Sequence, residues 1–478
     1  MHLSGSCLSE DWHTSARCTD AWRKRRYNPY AMTDTAIKLA QFVSGTTPAN
    51  VPSAALERTA LNVMDTIASS AGGYATRNAR EMRAAAAALF GEGRSSIWFS
   101  GSKTHKGAAI LANCAAASAL DIDDGHRGAS GHPGASIVPA VLQACADAAT
   151  NITSGEMLTA CALGYDVACR IAAARPPSTV KTYSSGRWVG YGVAAALGWL
   201  HRQPAETIAH AMTIAGAESP ENLPAGSYRR MSSVKGSSPW STLTAMVALE
   251  RAKAGADGPL DSLDRTGVFD ASQITRDLGS RWEVAYTYIK PYASCRYTHA
   301  AMDAVLALVE GTPIRVADIQ EVVVEVFPEA FTITNETSPL TLEGAQFSIP
   351  FSVALAALRG AAAFRPMRPE VLKDKDVVAL SRKIKIREGE EFRMAFPKYT
   401  PSRVSLKVNG IWRSETVTHP LGDVDNPMPW SAVEQKLRDL SSQTEAPIRC
   451  KSENIISACR KIAENPSWPV SKLLTVLA

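Results

Sequence analysis

Three stretches of this chain leave little choice of architecture. Residues 108–120, 137–149 and 157–174 carry Ala and Leu at helical spacing, and each is apolar on almost every side. A helix of that kind has no face to give to water and belongs between other helices. Its alanines let the axes approach closely. Residues 84–90 continue the pattern, and Gly/Pro/Ser groups at 91–95, 128–136, 175–178 and 255–259 punctuate it. From about residue 35 to 276 the chain therefore reads mainly as packed helices. No repeat of fixed period is present, which argues against a solenoid.

The pattern changes after about residue 279. Residues 321–327 (EVVVEVF), 383–387 (KIKIR), 403–408 and 412–418 alternate as strands do, and Asn409-Gly410 joins the last two as a hairpin turn. Helical patterns at 299–310 and 351–362 sit among them. Beyond Pro427-Met428-Pro429-Trp430 the helical pattern returns, at 432–440 and 452–464. The expected fold class is mainly α with an α+β part. A large all-helical domain is built from both ends of the chain (32–278 and 423–478), and an α+β lid (279–422) is inserted in it. A cleft between two such units is a common place for a site.

Residues 1–31 stand apart. They are polar, with Arg23-Lys24-Arg25-Arg26 beside Trp22, and lack the apolar core of a secretory signal. They read as a disordered leader or an over-called start, since Met32 opens a helical pattern. The whole chain of 478 residues has 51 Lys and Arg against 46 Asp and Glu, a net charge of +5 that gives no ground for nucleic-acid binding. No run of 18 apolar residues is present to span a bilayer. The nine cysteines form no CxxC and several lie singly in apolar stretches, as in a cytoplasmic protein with reduced thiols.

The densest polar cluster is Asp121-Ile122-Asp123-Asp124-Gly125-His126-Arg127-Gly128-Ala129-Ser130-Gly131-His132-Pro133-Gly134, set between two Ala-rich helices. Helix caps account for one or two of these residues but not for both imidazoles. Free N–H groups at the start of the following helix could face an anion. Asp and His are proper metal ligands, yet the spacing matches no ligand pattern, so no metal is expected. A second candidate is Lys235, just before a helix at 242–252; a solvated surface lysine is the plainer reading there. A third is Tyr288 to His299, where Lys290, Arg296 and His299 stand among aromatics and could bind carboxylates. Cys295 lacks any Cys-His signature and reads as a packed thiol. GxGxxG at a strand–helix junction, GxxxxGK[ST] and GxSxG are all missing, which disfavours nucleotide and α/β-hydrolase chemistry.

Taken together, these motifs resemble the MmgE/PrpD family, whose members include 2-methylcitrate dehydratase, cis-aconitate decarboxylase and iminodisuccinate epimerase. The resemblance runs from about residue 36 to 440. It rests on Leu120-Asp121-Ile122-Asp123-Asp124 with His132-Pro133, on Val234-Lys235, on Lys290-Pro291-Tyr292 with Cys295-Arg296-Tyr297-Thr298-His299, on Ala345-Gln346-Phe347-Ser348-Ile349-Pro350-Phe351, and on Gly422-Asp423 with Asn426-Pro427-Met428. It implies a homodimer and catalysis without metal or organic cofactor. It implies that Asp121, His132, Lys235 and Lys290 are catalytic, with Tyr183 at the place of a second family histidine. His126, Arg187, Arg296, His299 and Phe351 become candidate substrate contacts. Family members commonly have Thr where Gly125 stands and often Tyr where Phe351 stands.

The shared chemistry that the resemblance implies is proton movement at a carbon next to a carboxylate of a small di- or tricarboxylate. Cations stabilise the developing charge, and His132 is the natural base. The expected activity is that of a cofactor-independent lyase or isomerase, of the 2-methylcitrate dehydratase kind. The alternatives are an epimerase or decarboxylase of a related polycarboxylate, and a lapsed member acting as a binding or scaffold protein. A metal hydrolase is a third reading. Neither nucleic acid nor a membrane is an expected partner.

Overall fold

A computed structural model describes residues 34–176, 184–221, 235–311, 315–442 and 446–478. Residues 1–31 and Tyr183 lie outside these.

The Ala-rich stretches are helices, Lys106–Ser118, Gly134–Asp147 and Ser154–Ala173, and nearly every residue of each is buried. Their neighbours are Ser53–Gly73, Gly186–Leu200, Ala205–Glu218 and Ser238–Lys253. Close approach is built into the sequence where Ser154–Ala173 meets Gly186–Leu200. A Cβ on Gly192 would stand 2.2 Å from the Gly164 carbonyl oxygen, so only glycine allows the two backbones to touch there.

The chain's last helices join this layer. Trp430–Ser442 and Ala446–Glu464 pack on Ser53–Gly73. The extreme C-terminus then hydrogen-bonds back into the N-terminal half, with Phe99 N–H donating to Leu477 O at 2.7 Å and Val470 N–H to Ile152 O at 3.0 Å. At the centre of the contact Lys436 Nζ lies 2.5 Å from Asp65 Oδ1 and donates to Ile122 O at 2.6 Å, with both side chains fully buried.

Between the two helical segments lies a four-stranded sheet. Strand β1 (Ile319–Val326) pairs in parallel with β2 (Ile384–Glu388) and antiparallel with β3 (Ser402–Val408), and β3 pairs antiparallel with β4 (Ile411–Val417). The β3–β4 turn has Asn409 and Gly410 at φ of 50° and 80°, the two positive values that a type I′ turn requires. Helices Arg296–Val309 and Ile349–Arg359 pack against each other, the first of them also on β3 and β4. No described helix is long and apolar enough to cross a membrane. The described cysteines are all free, and Cys114, Cys145, Cys161, Cys169 and Cys459 are buried.

Removing one partner of a buried ion pair strands the other charge, whereas replacing both with apolar groups does not. Lys436→Met should therefore cost about 3–5 kcal/mol in denaturant unfolding, and adding Asp65→Leu should recover part of it. Equal losses in the single and double variants would show that the pair is not coupled.

Candidate active site

The loop after Lys106–Ser118 makes a tight reversal at Asp121, whose φ is 53°. Aspartate tolerates this left-handed conformation better than most residues. The turn places the Asp121 carboxylate between two ammoniums. Its Oδ1 is 3.3 Å from Lys235 Nζ and its Oδ2 is 3.2 Å from Lys290 Nζ. Lys290 is completely buried and follows the short strand Thr287–Tyr288, which pairs with Gly125–His126. Burial opposes ionisation of Asp121, but Lys235, Lys290 and His132 outweigh it and hold the carboxyl well below its usual range. Coulomb's law makes the outcome plausible, because each contact is worth about 5 kcal/mol at an effective dielectric constant of about 20.

His132 is the exposed edge of this cluster, at 26% side-chain exposure. Its Nδ1 lies 2.7 Å from the Asp124 carbonyl oxygen. A carbonyl only accepts, so Nδ1 carries a proton, and Nε2 is the ring's basic nitrogen. Nε2 is 3.8 Å from Asp121 Oδ1, placed so that a proton taken up there gains a carboxylate beside it. The His132 backbone N–H donates to Ser185 Oγ at 2.9 Å, which ties the loop to the entry of Gly186–Leu200.

The other acids of the loop do different work. Asp124 Oδ1 accepts the Gly134 N–H at 3.0 Å and Oδ2 accepts the Tyr165 hydroxyl at 2.7 Å. Burial and neighbouring Asp65 push the Asp124 carboxyl well above its usual range. The helix start that the sequence offers to an outside anion is thus taken by the chain's own Asp124.

The structure assigns several candidate substrate contacts to other tasks. His126 accepts the Ala129 N–H at Nδ1 (3.0 Å) and faces Glu283 with Nε2 (3.1 Å), which uses both nitrogens. Arg296 is buried and spends its guanidinium on the Pro420 and Leu421 carbonyls and on Asp423. His299 is fully buried between Arg296 Nη1 (3.1 Å) and the Ser294 carbonyl (3.1 Å), and burial holds it well below its usual pKa. Phe351 lies wholly in the apolar core, and Arg187 is exposed in the first turn of its helix. Among the described residues the ion pairs of Asp121 go to Lys235, Lys290 and His132, and to none of these five. A polar cavity of about 850 Å³ borders His126, Arg127, Glu283, Lys398 and Asp423, and its lining does not include Asp121, His132, Lys235 or Lys290.

Two contributors carry no chemical signal of their own in the sequence. Gln346, from the α+β part, accepts a hydrogen bond from Lys235 Nζ at 2.5 Å and donates to Ala119 O at 3.3 Å, bridging both units. It lies within one of the quoted motifs, where its side chain had no evident task. Lys436 sits in an ordinary amphipathic helix, and nothing in its neighbours announces a buried ion pair. Among the described residues no three His, Cys, Asp or Glu side chains are grouped to hold a metal ion.

The MmgE/PrpD N-terminal domain model matches residues 37–279, and the MmgE/PrpD C-terminal domain model matches residues 292–462. The chain is also similar to a cis-aconitate decarboxylase of Aspergillus terreus, with 23% identity over 473 residues that cover 92% of this chain and 96% of that one.

Glu283 gives the site's surroundings a pH signature. Burial alone would raise it, but hydrogen bonds from His126 and Arg281 bring it down from 4.5 to about 2. A depressed carboxyl stabilises the fold above its unfolded pKa and loses that contribution as pH falls toward the folded value. Unfolding free energy should thus drop by on the order of 3 kcal/mol from this group between about pH 5 and pH 2. In Glu283→Gln the profile should be flatter across that window; an unchanged slope would remove Glu283 from the account.

Proposed function

The chain belongs to the MmgE/PrpD family, and on that premise we propose that it is an enzyme of dehydratase or decarboxylase type. Its substrate is a small di- or tricarboxylate, and its central step moves a proton at a carbon beside a carboxylate. One observation carries the reading: His132 Nε2 faces a carboxylate that is itself clamped between Lys235 and Lys290.

A carbon next to a carboxylate is a weak acid, because the charge left by its proton must reside on the carboxylate oxygens. Ammonium groups fixed at the site stabilise that charge without having to reorganise. Lys290 and Lys235 supply them. His132 Nε2 accepts the proton, and Asp121 stabilises the imidazolium that results. In an epimerisation His132 keeps that proton and a solvent proton reaches the same carbon on its other face. In a dehydration the imidazolium gives its proton to the β-hydroxyl, which leaves as water with formation of an alkene. In a decarboxylation His132 enters as the imidazolium, CO₂ departs, and the imidazolium protonates the carbanion left behind. The three outcomes share the imidazole and the ammoniums and differ in what leaves and in the proton state in which His132 begins. The hydro-lyase outcome, on a 2-methylcitrate-like substrate, is the preferred one; decarboxylation draws support from the similarity to the fungal cis-aconitate decarboxylase.

Proton NMR in deuterated buffer with EDTA separates these outcomes. The panel is citrate, 2-methylcitrate, cis-aconitate, iminodisuccinate and substituted succinates. A new alkene signal identifies dehydration, loss of a carboxyl-bearing carbon identifies decarboxylation, and deuterium uptake without net change identifies epimerisation. His132→Ala should lower the rate about 10²–10⁴-fold, the usual contribution of a positioned base. Undiminished turnover would sink the assignment. Lys290→Ala should raise KM more than it lowers kcat if the lysine is a clamp.

A further inference from the structure

We infer that the phenol of Tyr288 is a substrate-facing hydrogen-bond donor of this site, a reading that rests on the carboxylate chemistry proposed above and adds a neutral donor from the segment that carries Lys290. The argument starts from a missing side chain. Gly125 pairs with Tyr288 across the two-residue ribbon, and a Cβ on Gly125 would stand 2.3 Å from Tyr288 Cζ and 2.4 Å from its hydroxyl oxygen. No side chain fits beneath that ring, so glycine at 125 is what lets the phenol lie over the loop that carries Asp121. The hydroxyl occupies the space where a side chain of residue 125 would begin.

The ring is also held from other directions. The Arg296 and Arg127 guanidinium carbons stand 4.8 Å and 5.8 Å from its centroid. Both guanidiniums are themselves anchored on Asp423. Cations near an aromatic ring attract it, more strongly when they are shielded from water. Tyr288 is two residues before Lys290, on the same short segment that delivers that ammonium to Asp121. Tyr288 retains 5% exposure. Among the described residues its oxygen has no hydrogen-bond partner. A phenol fixed this firmly, with its oxygen left for something else, is built to meet a ligand.

Its protonation state suits donation. Burial raises the Tyr288 pKa against the pull of Arg296 and Arg127, and Asp121 adds to the rise. The phenol is therefore neutral throughout ordinary assay conditions and acts as a donor, not as a base. Aimed at a substrate carboxylate, it strengthens as negative charge gathers on that oxygen when the neighbouring carbon loses its proton.

The test uses two variants of the full chain. Tyr288→Phe removes the oxygen and keeps the ring; Gly125→Ala keeps the oxygen and displaces the ring. Removing one donor aimed at a developing oxyanion costs about 10²–10³ in kcat. Tyr288→Phe should show a loss of that order in deuterium exchange, with an unchanged thermal midpoint and an unchanged pH-profile shape. Gly125→Ala should lose activity comparably. Exchange by Tyr288→Phe within twofold of the unaltered protein would overturn the inference, even if Gly125→Ala is impaired, because ring packing alone would then explain both. Citrate affinity by calorimetry separates this result from a failure of the proposed reaction. If the unaltered protein exchanges nothing in the panel, the reaction is wrong and Tyr288 is judged on citrate alone. Several-fold weaker binding by Tyr288→Phe then supports the donor role, and equal affinity, or no binding by either protein, overturns it.

Discussion

Everything at the site hangs on a buried ammonium that never touches it directly. Lys436 reaches from one of the last helices to Asp65 on one of the first, and a second of its three donors holds the carbonyl of Ile122. Burying two charges costs several kcal/mol for each ion, and their attraction offsets this only when geometry and further hydrogen bonds are good. Here the further bond goes to the residue after Asp121. Burial lowers the lysine's pKa and raises that of Asp65, and each partner opposes the shift of the other. The strut fixes the floor of the loop, the floor fixes the left-handed turn at Asp121, and the turn decides where the carboxylate meets Lys235 and Lys290.

Environment sorts chemically identical side chains into different tasks. Asp121 is held ionised by its cations. Asp124, three residues on, is pushed the other way and serves Tyr165 and the start of the helix Gly134–Asp147. The two imidazoles of the loop divide similarly. His126 has both nitrogens engaged by protein, whereas His132 rests one nitrogen on the Asp124 carbonyl and turns the other toward the Asp121 carboxylate, 3.8 Å away. Composition counts these as equivalent acids and bases; the backbone decides which can act.

The parts of this arrangement legible in the sequence are those written in local pattern. Ala-rich runs without a polar face can only be interior helices, and Asn409-Gly410 between alternating runs can hardly avoid being a hairpin. The loop of residues 121–134 announces itself by crowding polar groups where the flanking helices have none. What the sequence hides is direction. Lys290, Arg296 and His299 lie within ten residues and look alike as cations, yet Lys290 points to Asp121, Arg296 to the Pro420–Asp423 loop, and His299 to the Ser294 carbonyl. Long-range partners are hidden for the same reason. Nothing near Gln346 or Lys436 in the chain reveals that one bridges to Ala119 and the other to Asp65.

The route of the chain through its own strut also sets an order in time. At about 5–20 residues per second of synthesis, Lys436 is made roughly 15–60 s after Asp121. Throughout that interval the helices around Asp65 can already pack, while the buried Asp65 carboxylate waits for its counter-ion. The acidic loop then lacks the donor that holds the Ile122 carbonyl. A nascent chain of this protein can thus acquire most of its bulk before it can acquire its proposed chemistry, and a copy shortened before residue 436 would keep the proposed catalytic side chains without that support.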